Sequence, residues 1–379
     1  MKNPLRPRPL LQNKFRVNGV PVDWEPIRGL TSIGASLGSK GSKVLVTGSR
    51  VTADLVLAGS LVAGSYPFYW NVDSPELASF TCKLMGFDSC AFCSSNSIDV
   101  MVSGKAPGPS FFGSLKEADL SSLDWREVSQ VGEISADLKP YLDAFRDAFQ
   151  GITLMGIEKS ILVEANNDQT KLIAEAFEEL GGRMPAVLIK SSYKADLTYR
   201  DRYVWPFSEE DLWSRAVSLA LQLGGKLAVP LDAPSVLEEV MDRNGEKLVR
   251  VGITEYDLSS SDNGFDIGVS SHGYWVRPKL HRWKDAAVAS VAYAIPMKHP
   301  ISLPPSYSVE VNGTPNMAAL GWTLHEGWGW KAGVGDVDGH RVTVVQEVGK
   351  VIVRAEGRDV AQAREIDEKV AKIIGGHSP

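Results

Sequence analysis

Ala91-Phe92-Cys93-Ser94-Ser95-Asn96-Ser97-Ile98, followed seven residues later by Lys105, is the stretch whose reading decides what fold this chain has. An apolar run leads into a cluster of hydroxyls, so the loop is either the seat of a nucleophilic serine or a plain polar turn. Upstream, Lys43-Val-Leu-Val-Thr47 is a β-branched run, and Leu55, Leu57, Ala58, Leu61 and Val62 then recur at helical spacing. A strand therefore feeds a helix. Thr47-Gly48-Ser49-Arg50 between them lacks the further glycines of a dinucleotide loop, and Gly34, Gly38 and Gly41 precede the strand at the wrong spacing for a P-loop. Both nucleotide readings fail.

The bulk properties narrow the class. At 379 residues with 44% apolar and 23% charged side chains, the chain is ordinary globular material for about two to four domains. A net charge of −6 with no concentrated cationic face excludes a nucleic-acid scaffold. No uncharged apolar run is long enough for a membrane span, since Leu55 to Trp70 is diluted by Gly, Ser and Pro. Met1 to Lys14 is basic without the apolar core of a secretory signal, so a cytoplasmic protein is expected. Cys82, Cys90 and Cys93 include one Cys-x-x-Cys pair but no second pair or His-x-x-x-His, and are expected to be reduced thiols rather than a zinc site.

Downstream of the opening loop, the spacing predicts a packing helix over 138–150 with Leu138, Tyr141, Leu142, Phe145, Ala148 and Phe149 on one face. A second α/β unit follows: strands at 160–164, 186–189 and 226–229 alternate with helices at 171–180 and 208–223, the latter opened by Ser208 as a cap. That alternation predicts a mostly parallel sheet. After a possible strand from Leu248, the alanine-rich run from Lys284 to Ile295 reads as a helix and Pro296 to Pro305 as a linker. A hairpin at 342–354 and a helix from Asp359 to Ile374 complete a small α+β unit, into whose core Trp322, Trp328 and Trp330 are expected to pack.

Four loops, taken in order, carry further information: Phe15-Arg-Val-Asn-Gly19-Val, the Ser95 loop, Leu231-Asp-Ala-Pro234 and Arg354-Ala-Glu-Gly-Arg358. Their order resembles that of the phosphoglucomutase/phosphomannomutase (alpha-D-phosphohexomutase) family. The family's opening Phe-Gly-Thr-Ser-Gly-Ile-Arg-Gly keeps Phe15 and Gly19 here, and its Asp-x-Arg turn keeps Arg50. Its nucleophile loop, Thr-Ala-Ser-His-Asn-Pro with a later lysine, places Ser95 and Lys105 as catalytic residues, with Asn96 at the histidine position. Of the three carboxylates in the magnesium loop Asp-Gly-Asp-x-Asp-Arg, Asp232 alone corresponds. The Gly-Glu-x-Ser-Gly sugar loop keeps Ser271 but has Val269 at the glutamate, and the phosphate loop keeps Arg354 and Gly357, with Glu356 and Arg358 replacing Ser and Thr. The carboxylate of Glu356 would repel a phosphate dianion.

The resemblance implies an α/β, multi-domain phosphohexomutase-like fold: mixed sheets with flanking helices, a trimmed third domain, and a small C-terminal α+β domain. The boundaries expected are 1–137, 138–250, 251–299 and 300–379. The third is trimmed because only about forty residues separate the metal-loop and sugar-loop positions, too few for a full α/β domain. Substrate contacts would come from Ser271, Arg354, Gly357 and Arg358, and a doubtful metal ligand from Asp232. With two carboxylates lost, the expectation is a homologue without mutase activity and without cofactor, binding a sugar phosphate or other anion, a protein partner or a second copy of itself. An active sugar phosphomutase using Ser95 and magnesium, or a structural or regulatory subunit, are the alternatives.

Overall fold

A computed structural model describes residues 15–22, 25–115, 130–154, 160–163, 167–182, 195–199, 202–203, 208–311, 316–347 and 350–375. The chain divides into two compact units, Met1–Asp137 and Leu138–Pro379. The first is built on a seven-stranded mixed sheet in the order Val20–Val22, Phe15–Val17, Ser97–Val102, Ser89–Cys93, Lys43–Gly48, Tyr66–Trp70, Gly132–Glu133. Lys43–Gly48 lies in its middle, parallel to both neighbours, and is buried on both faces after Lys43, which is why it reads as a continuous apolar run rather than an alternating one. At one edge, Phe15–Val17 turns back through Asn18-Gly19 into Val20–Val22.

Helices Pro26–Leu37 and Arg50–Val62 cross at two glycines. A β-carbon on Gly34 would stand 2.0 Å from the Val56 carbonyl oxygen, and one on Gly59 only 1.9 Å from the Thr31 carbonyl oxygen, so the two backbones touch. Gly34, part of the glycine series rejected as a P-loop, thus has a packing use. The three cysteines are buried free thiols. Contact with Cys82 and burial push the Cys90 thiol well up, and burial beside Asp99 does the same to Cys93, so neither offers a thiolate.

The second unit opens with helix Lys139–Ala148, whose buried Tyr141, Leu142, Phe145 and Ala148 match the predicted face. Phe145 stacks between Tyr141 and Phe149, at ring separations of 5.9 and 4.7 Å. The single parallel sheet expected over 160–229 is instead two sheets. Ser160–Val163 pairs antiparallel with Ala195–Tyr199, which pairs with Arg202–Tyr203; the strand expected at 186–189 lies outside the described residues. Leu227–Pro230 belongs to a separate sheet, between parallel neighbours Leu248–Val251 and Ile267–Val269, with Trp275–Val276 antiparallel at the edge. Periodicity fixes the type of each element but not its neighbour, which is where the expectation failed.

That four-stranded sheet takes strands from both sides of residue 250. Among the described residues, the strands within 251–299 join that sheet and build none of their own. Helix Ala286–Ala294 is buried at every position and capped by Asp285, whose carboxylate also accepts from Tyr141 Oη (2.6 Å) and lies 2.9 Å from His281 Nε2. His281 Nδ1 accepts from the Trp283 amide, so Nε2 carries the proton and donates. This Tyr141–Asp285–His281 network is sealed from solvent and holds the helix start.

The C-terminal part is α+β, as expected: a five-stranded antiparallel sheet in the order Ser306–Val311, Lys350–Glu356, His340–Glu347, Trp330–Val337, Leu324–Gly327, covered by helix Val360–Ile373. Val342, Val344, Val351, Val353 and Ala355 meet Ile366, Val370 and Ile374 in its core. Trp322 packs half-buried against that core, and Trp330 is buried with Ile253 and Val345. Asp367 lies inside the same helix–sheet layer, fully buried.

Candidate functional site

Ser89–Cys93 and Ser97–Val102 form an antiparallel hairpin, and residues 94–96 are its tip. The tip is shaped by Ser94: its amide donates to the Ser97 carbonyl (2.8 Å), its Oγ accepts from the Ser97 amide (3.0 Å), and the two hydroxyls lie 2.6 Å apart. The Ser94 carbonyl accepts from Thr52 Oγ1 (2.8 Å) in the first turn of helix Arg50–Val62. Ser95 is exposed, and among the described residues nothing holds its hydroxyl. Arg50, set by the resemblance at the family's Asp-x-Arg turn, is paired with Asp54 at 2.7 Å and lies over the Tyr69 ring at 4.4 Å.

Lys105 does not stand beside Ser95. Strand Ser97–Val102 carries the chain roughly 17 Å away before the turn at Ser103-Gly104, and Lys105 then pairs with Val102 through backbone bonds of 2.8 and 3.1 Å. The spacing looks short in sequence, but six of the residues between Ser95 and Lys105 form an extended strand.

In the second unit two of the expected loops do meet. Ser271, just after strand Ile267–Val269, donates its hydroxyl to Asp232 Oδ1 at 2.9 Å. Asp232 follows strand Leu227–Pro230, which pairs directly with Ile267–Val269 and so brings the two strand ends side by side. Burial pushes the Asp232 carboxyl up, while the Ser271 bond and the charges of Arg354 and His272 draw it back. His272 is exposed at the rim.

The phosphate-loop position is closed by the chain itself. Arg354 is gripped by Glu209 through two bonds, Nη1–Oε1 at 2.8 Å and Nη2–Oε2 at 2.9 Å. Burial disfavours its charge, but the Glu209 carboxylate, helped by Asp232 and Glu356, holds the guanidinium above its ordinary range. Glu356 reaches across to the start of helix Val236–Arg243 and accepts from both the amide (2.9 Å) and the hydroxyl of Ser235. An anion's place at a helix N-terminus is thereby filled from within. Arg358, exposed, bonds Gln362 through its amide and Nε, and Asp359 caps helix Val360–Ile373. Gly357 serves packing: a β-carbon there would stand 2.7 Å from the Ala363 amide nitrogen. Replacing Glu356 with alanine leaves the Ser235 donors unpaired and is expected to lower stability by about 1–2 kcal/mol, read by chemical denaturation.

The donors at the metal-loop position do not suit magnesium. Asp232 supplies one carboxylate, half committed to Ser271, where a hard dication with strict octahedral demands needs several free oxygens. Among the described residues, no three His, Cys, Asp or Glu side chains gather into a metal-binding group. The loop carbonyls face Arg250 and Arg341 instead. These arginines, and Glu209, escaped the sequence reading. Glu209 showed only as part of a helix cap, and Arg250 as one charge in a strand, with no spacing that ties either to its partner.

No protein-family model and no curated protein matches the sequence. The fold does have a counterpart among solved structures. A phosphoglucomutase/phosphomannomutase family protein from Burkholderia thailandensis superposes over 93% of this chain and 95% of its own with a TM-score of 0.58, at 13% sequence identity. The N-terminal domain of FACL13 from Mycobacterium tuberculosis overlaps 88% of this chain and 85% of its own, but with a TM-score of 0.21 at 10% identity, too slight a likeness to bear on the argument. The chain therefore has a multi-domain phosphohexomutase-like α/β fold. Among the described residues, no helix is long and apolar enough to cross a membrane.

Proposed function

We propose that this chain keeps the phosphohexomutase-like fold without phosphoryl-transfer activity, and that it acts by binding a protein partner rather than by turning over a sugar phosphate. The observation that carries this reading is the bidentate grip of Glu209 on Arg354. Phosphoryl transfer rests on positioning and on neutralising charge at the migrating group, so a clamp already neutralised by the chain's own carboxylate has nothing to give a phosphate. Glu356 on Ser235 supports the same view, since an incoming dianion would have to displace one carboxylate and sit beside the other. An anionic ligand is thus the weaker of the two binding modes first expected.

The test is the melting temperature of the purified chain with millimolar glucose 1-phosphate or inorganic phosphate. The expected result is no change for either, together with stable co-purification of one protein from the native source. A rise of several degrees with the sugar phosphate would overturn the closed-loop reading and restore an anion-binding role. One observation favours the active-mutase alternative: the Ser95 hydroxyl is exposed and unheld among the described residues, as a nucleophile must be.

A further inference from the structure

Arg250 sits on strand Leu248–Val251, parallel to the strand that delivers the metal-loop position. A guanidinium has five N–H donors in a rigid fork, and each of the five has an acceptor here. Nε and Nη2 bond the two carboxylate oxygens of Glu238 at 2.7 and 2.6 Å. Nη1 donates to the carbonyls of Pro230 at 3.0 Å and Ala233 at 2.6 Å, and the second Nη2 hydrogen goes to the Pro234 carbonyl at 3.0 Å. Arg341 Nη2 takes the Leu231 carbonyl at 2.7 Å. Four carbonyls of the 230–235 turn therefore point at fixed positive charge.

Arg250 and Arg341 together supply the two positive charges that a dication would bring. Arg250 pairs with Glu238, and Arg341 feels Glu238, Glu356 and Asp232; burial and the nearby Arg250 charge lower the Arg341 pKa, while those three carboxylates work the other way. Glu238 lies in the first turn of helix Val236–Arg243, so the Arg250 fork ties the turn to the helix it leads into. Arg250 is mostly buried, with 16% of its side chain exposed, while Glu238 is 41% exposed, and the bonds between them are charge-assisted.

We infer that Arg250 is a built-in replacement for a divalent cation: a positioning residue whose guanidinium, with Arg341 beside it, holds the 230–235 loop in the ordered form that a bound metal would otherwise impose. The loop is consequently metal-independent. This goes beyond the loss of catalysis proposed above and fails separately from it. A chain that binds sugar phosphate yet ignores magnesium refutes that proposal and keeps this one.

The experiment follows hydrogen exchange of the 230–238 peptide and the melting temperature of the full chain, each with EDTA and with millimolar magnesium chloride, in wild type, Arg250→Met and Arg250→Lys. In wild type, neither readout is expected to respond to EDTA or magnesium. Arg250→Met is expected to speed exchange in 230–238 by about tenfold or more while the 340–356 peptides keep their rates. If the methionine variant fails to fold, Arg250→Lys decides the matter: it keeps the charge but loses the fork, and a several-fold acceleration confined to 230–238 is expected. Magnesium-dependent protection of the wild-type loop, or unchanged loop exchange in whichever variant folds, would overturn the inference.

Discussion

Replacing Asp367 with asparagine is expected to raise the melting temperature at pH 7 by several degrees, and to raise it much less at pH 5. Asp367 lies in helix Val360–Ile373, fully buried against the C-terminal sheet, and neither carboxyl oxygen has a well-formed hydrogen bond. Burial pushes its pKa up to about 8; the backbone near Ala355 and Val309 and the charge of Arg354 offset only part of this. The sign follows from proton counting. Below an ordinary carboxylate pKa of about 4, both folded and unfolded chains are protonated and the group is neutral to stability. Between that value and about 8 the unfolded chain has lost its proton while the folded chain retains it, so stability falls as pH rises and levels off above 8. At pH 7 the gap is about 3 pH units, on the order of 4 kcal/mol as an upper bound. The asparagine side chain of the Asp367→Asn variant titrates nowhere in this range, so the difference between the two proteins should itself shrink toward acid pH. Equal pH dependence in both proteins, followed by thermal denaturation, would show that the buried carboxyl is not the source.

The second large effect concerns Gly59. Alanine in an exposed helix interior normally gains up to about 1 kcal/mol over glycine. At Gly59 the new β-carbon would fall 1.9 Å from the Thr31 carbonyl oxygen, backbone against backbone, with its counterpart at Gly34 equally close to Val56. Helices Pro26–Leu37 and Arg50–Val62 would have to move apart, opening the layer that covers strand Lys43–Gly48. Gly59→Ala is expected to cost about 2–4 kcal/mol, and Gly59→Val to prevent folding of the first unit. Because propensity and packing pull in opposite directions, the sign of the change decides: a stabilised alanine variant in urea denaturation would mean that the helices do not cross there.

Much of the framework was legible because local chemistry announces it. Ser208 caps its helix where the spacing placed it, a helix follows Asp359 as expected, and the hairpin of His340–Glu347 with Lys350–Glu356 follows its alternating pattern. The resemblance sets Asp232 and Ser271 at the metal-loop and sugar-loop positions, and the structure brings the two side chains within 2.9 Å. What escaped was long-range partnership. Arg354 finds Glu209 across 145 residues and Glu356 finds Ser235 across 121, distances over which no periodicity operates. Lys105 stands apart from Ser95 for a related reason: spacing counts residues, whereas an extended strand turns those residues into distance.

The three loops of the second unit follow one pattern. The Arg354 guanidinium is neutralised by Glu209, a helix N-terminus is occupied by Glu356, and the turn at the metal-loop position is bound by Arg250. Arg354, the Ser235 donors and the carbonyls of residues 230–234 each have a partner on the same chain. Buried polar groups left without ligand or partner are destabilising by about 1–3 kcal/mol each, so a fold that ceased to bind sugar phosphates would gain from such substitutions. The Ser95 hydroxyl, exposed at its hairpin tip, faces no such penalty and can persist without chemistry.

The most direct test is therefore made on Ser95 itself. The purified full-length chain is incubated with magnesium and glucose 1-phosphate, glucose 6-phosphate is quantified, and the mass of the Ser95 peptide is recorded. The account predicts no product above the protein-free control and an unmodified peptide. Product formation that disappears in Ser95→Ala, with a phosphate on the wild-type peptide, would contradict it.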